Sequence, residues 1–238
     1  MPANWTLLFA SFTVVGLAHA ECSARAGAER PRLVELYTSE GCSSCPPADT
    51  WLRGIPARSN LVALAFHVDY WDSLGWRDRF ADSRYTARQQ QQAARDGSST
   101  TFTPQVVLDG RNWIGWYRGS PAAPATAANA AMRVDATPGN VLRVRMATTF
   151  DATADGAGFR NYLALTENGL GSEVRAGENR GAHLRHDHVV RAFAGPLPLV
   201  AETQVALPPD LDRAQARLVA FTQRSDGTVA QVLECTLP

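Results

Sequence analysis

The chain of 238 residues contains no lysine, and all 23 of its basic side chains are arginine. That excludes Schiff-base chemistry and a P-loop lysine. Neither sign of charge is in excess: 23 Asp and Glu balance the arginines, for a net charge of +0. Nothing in that balance favours nucleic acid or an anionic membrane as a partner. Cysteine is scarce at 4 residues, so the chain is no disulfide-dense miniprotein, and 18 Gly with 14 Pro are too few for a collagen or low-complexity chain. There is no second close cysteine pair to complete a four-cysteine zinc site. No internal repeat, coiled coil, carboxylate pair, Ser-His-Asp order or Gly-rich phosphate loop stands out. The uncharged apolar run from Leu7 to Ala18 is too short to span a bilayer, which needs roughly 20 apolar residues. What remains, at 45% hydrophobic, is ordinary for one or two globular domains.

That apolar run is followed by Ala18-His19-Ala20, a small-x-small cleavage site before Glu21. Residues 1–20 therefore read as a signal peptide, although only the terminal amine carries positive charge ahead of Trp5. A periplasmic or secreted protein is expected, with no stable membrane insertion after cleavage. Export implies an oxidising compartment, where disulfides persist. Three connectivities are open to four cysteines. Pairing by neighbourhood makes Cys42 and Cys45 a short-range redox pair and leaves Cys22 and Cys235 as a structural clasp between the two ends of the mature chain.

Arg32 to Thr38 (RLVELYT) predicts a short strand with one acid, Glu35. A helix follows, because Ala48, Trp51, Leu52 and Ile55 recur at i, i+3, i+4 and i+7. Leu61 to Val68 is a near-continuous apolar run, as in a strand buried on both faces. Asp82 or Ser83 caps a helix that runs to Arg95 and is closed by Gly97, with Gln89 to Gln92 on a solvated face. Gln105 to Asp109, a Gly-Arg turn, and Trp113 to Trp116 predict a hairpin. Ser120 and Pro121 then open an Ala-rich helix towards Val134. The order is β-α-β-α-β-β-α. Beyond Thr137-Pro138-Gly139 the texture changes to short strand-like runs: Val141 to Phe150, Tyr162 to Thr166, His188 to Phe193, Val200 to Leu207, Arg217 to Thr222 and Val229 to Cys235. Those predict an all-β, sandwich-like C-terminal domain. The expected organisation is a signal peptide (1–20), an N-terminal segment (21–31), an α/β domain (32–137) and a β-rich domain (138–238).

A redox site needs one cysteine of lowered pKa and a second within reach. Cys42-Ser43-Ser44-Cys45 at a helix start meets both needs. The helix N-terminus favours thiolate on Cys42, the attacking sulfur, and the next turn brings up Cys45, the resolving one. Pro46 disfavours helical geometry at Cys45, which argues for a helix starting a turn later. Glu35 is a candidate proton acceptor beneath the site. Thr103-Pro104 ahead of a strand is a second signal, since a cis bond there would expose the preceding backbone to an extended peptide. His67, Asp69, Tyr70, Trp71, Asp72 and Trp76 follow the second strand. Ligands gather outside the carboxyl ends of strands in open sheets, so these residues would rim the cysteine pair and grip a peptide or small thiol. The plainer alternative is an aromatic cover over the sheet. On a strand His186 and His188, with His183 nearby, would share a face suited to copper or zinc. Histidines in a β-rich region are more often surface or hydrogen-bonded core residues, so no metal ligand is assigned.

The cysteine pair, the Thr-Pro and the element order together resemble the thioredoxin fold. More specifically, Val34 to Asp49 (VELYTSEGCSSCPPAD), Phe66 to Asp72 (FHVDYWD) with Leu74-Gly75-Trp76, Thr86 to Gln89 (TARQ), Thr103-Pro104-Gln105 and Gly177-Glu178-Asn179 resemble the secreted thioredoxin-like family known as domain of unknown function 1223. The resemblance implies a thioredoxin-like α/β domain with a β-rich C-terminal extension in an exported bacterial protein, and no established substrate. The function expected is an exported thiol–disulfide oxidoreductase or isomerase acting on protein or small-molecule thiols and disulfides. Cys42, Cys45 and Pro104 would be catalytic, with Thr103, His67, Asp69, Trp71 and Trp76 contacting substrate, and no cofactor is called for. The alternatives are a non-catalytic binding module in which Cys42–Cys45 is structural, and a copper-handling thiol protein.

Overall fold

A computed structural model describes residues 20–25, 28–55, 60–119, 128–152 and 155–237. In chain order its elements are β1 (Ala20–Ala24), β2 (Arg32–Thr38), α1 (Pro46–Arg53), β3 (Leu61–His67), α2 (Ser83–Arg95), β4 (Gln105–Leu108), β5 (Arg111–Asn112) and β6 (Ala130–Thr137). There follow β7 (Val141–Phe150), β8 (Phe159–Glu167), β9 (Leu170–Glu173), β10 (His183–His186), β11 (Val189–Leu197), β12 (Val200–Ala206), β13 (Ala216–Arg224) and β14 (Val229–Thr236).

Eight strands form one mixed sheet in the order β14-β13-β8-β11-β3-β2-β4-β5. β2 and β3 run parallel, with Leu36 opposite Ala65, because α1 supplies the crossover between them. β4 returns antiparallel along β2. On the far side of β3, β11 joins in parallel at Val189 opposite Ala65, and β8, β13 and β14 follow antiparallel.

Alternation along these strands sorts the side chains onto two faces. Leu33, Tyr37, Leu64, Phe66, Ala164, Val219 and Phe221 fall in one buried cluster with Tyr85 of α2. The residues between them point the other way. Val34, Leu36, Ala63 and Ala65 pack under Ala48 and Leu52 of α1. Leu163, Leu165, Leu218 and Ala220 pack against Met132, Val134, Leu142, Val144 and Met146, which belong to a four-stranded sheet of order β1-β6-β7-β12. Thus α2 covers one face of the large sheet, and α1 and the small sheet share the other.

The large sheet curls around α2. Its edges carry the β4–β5 and β13–β14 turns, and these turns meet: a Cβ on Gly110 (φ +79°) would collide with the Gly227 carbonyl. Inside the curl Arg88 is buried. Its Nε donates to Glu35 Oε2 at 2.7 Å and its Nη2 to Gln223 Oε1 at 3.0 Å. The rings of Phe66, Tyr162, Phe193 and Phe221 lie 5.2–5.6 Å from its guanidinium. One side chain from α2 therefore ties β2 to β13.

These findings correct the expected fold class. The chain is mostly β, with two α-helices among the described residues, and is not a thioredoxin-like α/β domain followed by a separate sandwich. Strands from beyond Pro138 extend the same sheet that holds β2, β3 and β4. Of the Ala-rich helix expected from Ser120 towards Val134, residues 120–127 lie outside the described residues, and Ala130–Thr137 is strand β6. Pairing with β7 (Val134 opposite Met146) overrides the helical propensity of its alanines. The second arm of the expected hairpin is the two-residue β5, while Trp113 to Trp116 enters a turn ending in a 3-10 helix (Trp116–Arg118). Gln89 and Gln92 are buried, not solvated, because their amides donate to the Phe102 and Gly110 carbonyls at 2.7 and 3.0 Å. The expected signal peptide lies outside the described residues except for Ala20, which opens β1.

Candidate functional site

Cys42 and Cys45 are joined in a disulfide at the start of α1. Cys45 is the N-cap with helical backbone angles (φ −79°, ψ −36°), and the helix begins directly at Pro46. The bias of Pro46 against that geometry is thus overridden, and no turn is lost. Pro46 and Pro47 instead remove two of the amide N–H groups that a helix start normally presents. Ala48 and Asp49 donate their amides to the Cys45 carbonyl at 2.9 and 3.1 Å. This helix start therefore offers a thiolate less stabilisation than one with a full set of donors.

The loop carrying the cysteines is held on all sides. Gly41 is packed so closely that a Cβ there would lie 2.9 Å from Trp71 Cβ. Trp71 Nε1 donates to Thr103 Oγ1 at 2.8 Å, and Ser44 Oγ donates to the Thr103 carbonyl at 3.4 Å. The Thr103–Pro104 peptide bond is cis. From the other half of the chain, Glu178 Oε2 accepts from both Ser43 N and Ser43 Oγ, at 3.0 and 2.8 Å. Asn179 Nδ2 donates to the carbonyls of Glu40 and Cys42, each at 2.9 Å. Neither sulfur-bearing residue has exposed surface.

Beside this loop sits a buried cluster of acids and imidazoles. His67 Nδ1 and Asp78 Oδ2 are 2.6 Å apart, and Asp78 Oδ2 also accepts the Glu40 amide at 2.9 Å. Trp76 Nε1 donates to Glu40 Oε2 at 2.7 Å. His186 Nε2 lies 3.3 Å from Glu40 Oε1, off the line of a hydrogen bond, and its ring stands edge-on to His67 at 5.1 Å. Burial pushes the His67 imidazolium down, but Asp78 outweighs it and holds His67 above its ordinary value. Burial pushes Asp78 up, and His67 outweighs that and holds it low. Burial likewise raises Glu40, yet contacts from His186, Ser172 and Trp76 bring its carboxyl below the usual range. Asp49, one turn past Cys45, accepts from Thr38 Oγ1 at 2.8 Å, and burial raises its carboxyl.

The structure thus brings Cys42, Cys45, Thr103, Pro104, Trp71 and Trp76 together. His67 belongs to the buried cluster and presents no surface for gripping a peptide. Asp69 is engaged by α2, accepting from Thr86 Oγ1 at 2.5 Å. Glu35 lies on the sheet face covered by α2, paired with Arg88, and not on the face beneath α1. The three C-terminal histidines do not share a face: His183 is exposed, His186 is buried, and His188 sits in the turn between β10 and β11 with φ +58°. Among the described residues no group of three or more His, Cys, Asp or Glu is arranged to hold a metal ion. The sequence does not single out Asp78, Glu40, Glu178 or Asn179 as site residues, and it raises His186 only as a candidate metal ligand. The one signal for Glu178 and Asn179 was Gly177-Glu178-Asn179 within the family resemblance. The second disulfide, Cys22–Cys235, joins β1 to β14 across 213 residues.

The fold and the site define a disulfide-bearing, mostly β protein whose short-range disulfide opens a helix, features compatible with export. Residues 33–223 match the family described as "Protein of unknown function (DUF1223)", and the chain belongs to that family. No curated protein matches it. Among solved structures it is similar to a protein from Agrobacterium tumefaciens, at 23% identity over 88% of this chain and 96% of that one, with a TM-score of 0.54. It is also similar to HBP35 of Porphyromonas gingivalis, at 12% identity over 90% of this chain and 77% of that one, with a TM-score of 0.61. At those identities the likeness is one of fold alone. No helix among the described residues is long and apolar enough to cross a membrane.

Proposed function

We propose that this is an exported thiol–disulfide exchange protein in which Cys42 and Cys45 form a reversible redox couple. Cys42 is the attacking sulfur, Cys45 the resolving one, and protein or small-molecule thiols are the partners. The observation that carries this reading is the three-residue disulfide at the start of α1, bracketed by Trp71 and Thr103–Pro104. In the reduced state the positive end of the α1 dipole favours a Cys42 thiolate, although Pro46 and Pro47 supply no amide donor and those of Ala48 and Asp49 are spent on the Cys45 carbonyl. The lack of free donors makes the drop from the free-thiol value of about 8.5 a modest one.

The test is equilibration in thiol buffers of graded potential, with the oxidised fraction read by alkylation and mass. Cys42→Ser should abolish exchange with a model disulfide, and Cys45→Ser should trap a mixed disulfide on Cys42. The complete burial of both residues favours a second reading, a structural disulfide in a non-catalytic binding module. That reading requires a potential below roughly −300 mV. A pair so hard to reduce, with no reactivity at Cys42 once reduced, would replace the first reading by the second.

A further inference from the structure

A thiolate that reduces the Cys42–Cys45 bond must line up with it, and the structure leaves no exposed surface on either residue. Part of the cover comes from residues distant in sequence, the loop joining β9 to β10. Those strands form a two-stranded sheet of their own. The loop is held in shape by Val174 N to Ala182 O (3.0 Å), Gly181 N to Val174 O (2.8 Å) and Ala182 N to Asn179 O (3.0 Å). Gly177, with φ +70°, packs on Trp76 so that a Cβ would sit 3.3 Å from Trp76 Cβ. This places Glu178 and Asn179 over the cysteine loop, and their four hydrogen bonds all end on Glu40, Cys42 and Ser43. Asn179 spends both of its amide hydrogens on main-chain carbonyls of that loop, one of them belonging to Cys42 itself. Glu178 is exposed, and the bonds from Ser43 hold its carboxyl below the usual range, so it keeps a negative charge beside the disulfide.

We propose that Glu178 and Asn179 determine access and specificity at this site. Exchange passes through a state in which Asn179 has released the cysteine loop, and the Glu178 carboxylate ranks incoming thiols by charge, favouring cationic and neutral ones over anionic ones. This rests on the reading of Cys42–Cys45 as an exchanging pair. In the step concerned, a thiolate attacks Cys42 Sγ, a new S–S bond forms, and the Cys42–Cys45 bond breaks with its electron pair on Cys45, which takes a proton from water. A second thiol, losing its proton to water, attacks the mixed disulfide and releases Cys42 as thiolate. Two thiols are oxidised to one disulfide, and the protein pair gains two electrons.

The experiment measures the rate at which dithiothreitol (neutral), glutathione (anionic) and cysteamine (cationic) reduce the oxidised protein, followed by acid quench, alkylation and mass. Asn179→Ala removes two hydrogen bonds that opening must otherwise break, so all three rates should rise about tenfold. Glu178→Gln keeps an acceptor for Ser43 but loses the charge. Its glutathione-to-cysteamine rate ratio should exceed that of the wild type several-fold at low salt, and at about 1 M salt, where charges are screened beyond roughly 3 Å, the wild-type ratio should rise to meet it. Release of the loop alone exposes little surface, so the Asn179→Ala rate should depend only weakly on sub-denaturing urea. Wild-type rates in Asn179→Ala, an unchanged ratio in Glu178→Gln, or a urea dependence as steep as global unfolding would each overturn the proposal while leaving a reducible pair intact. If no thiol reduces the wild-type protein short of unfolding, the exchange reading itself fails.

Discussion

Replacing Arg88 by methionine tests whether the strands beyond Pro138 are mechanically one with those before it. The guanidinium is buried against Glu35, Gln223 and four aromatic rings. Arg88→Met leaves the Glu35 carboxylate buried, with the Tyr37 hydroxyl at 3.2 Å as the remaining side-chain donor. Breaking one partner out of a buried ion pair costs about 3–5 kcal/mol. Loss of the cation–ring contacts adds to that, offset in part by sulfur–ring contacts of the new methionine. With a urea slope of about 3 kcal/mol per molar for a chain of this size, the midpoint should fall by about 1–2 M. Two probes read different halves of the chain. Every tryptophan lies at or before Trp116, so fluorescence follows the first half, whereas most of the strand content seen by far-UV circular dichroism lies in β6 to β14. A sheet that unfolds as one unit lowers both midpoints equally. Glu35→Gln combined with Arg88→Met should recover most of the loss, because no buried charge is then left unpaired. A midpoint within about 0.3 M of wild type, or a shift confined to fluorescence, would refute the reasoning.

Cys22→Ser and Cys235→Ser should each lower stability by the same amount, about 2–5 kcal/mol, and the double variant by no more than either alone. Inequality in urea titrations would mean the cysteines act separately. Gly110→Ala should cost about 2–4 kcal/mol, because its Cβ meets the Gly227 backbone as well as a positive φ. Gly97→Ala, with φ +73° and no atom near the added methyl, should cost only about 1–2 kcal/mol; equal costs would argue against the meeting of the two turns. The His67–Asp78 pair sets a pH window. His67, raised in the folded state, contributes fully below about pH 6.5 and loses that contribution as pH rises through its folded value. Asp78, lowered, contributes above about pH 4 and loses it as pH falls through its own. The denaturation midpoint of the wild type should fall away on both sides of that window. His67→Gln with Asp78→Asn should flatten the profile, and an unchanged profile in the double variant would show that the pair is not its source.

The strands of the large sheet were readable where alternation is local. Leu163 and Leu165 point one way while Tyr162 and Ala164 point the other, and β13 repeats the pattern. The start of α2 was readable for the same reason, since the Asp82 carboxylate accepts the Arg84 amide. Partnership between strands was not readable. Within the large sheet the strands before and after Pro138 pair through a single parallel bridge, Val189 to Ala65, and nothing in either stretch names the other. Composition misled at Ala130–Thr137, where alanines suggest a helix but the small residues serve to pack one sheet on another. At the site, the cysteine pair announced itself by spacing. Its neighbours Glu178 and Asn179 act across 135 and 137 residues, a distance at which only the fold creates adjacency. His67 looked like a rim residue because it ends β3, and its role was decided by Asp78 and His186 closing over it.

The bond between Cys22 and Cys235 makes everything from residue 22 to residue 235 a covalent ring. A protease that cuts this ring once opens it without releasing a fragment, and the product is heavier than the intact protein by one water. The two pieces stay tethered at a high effective concentration, so a strand freed by the cut remains beside the sheet it left. Such a molecule migrates as one species until a reductant is added, and only then as two.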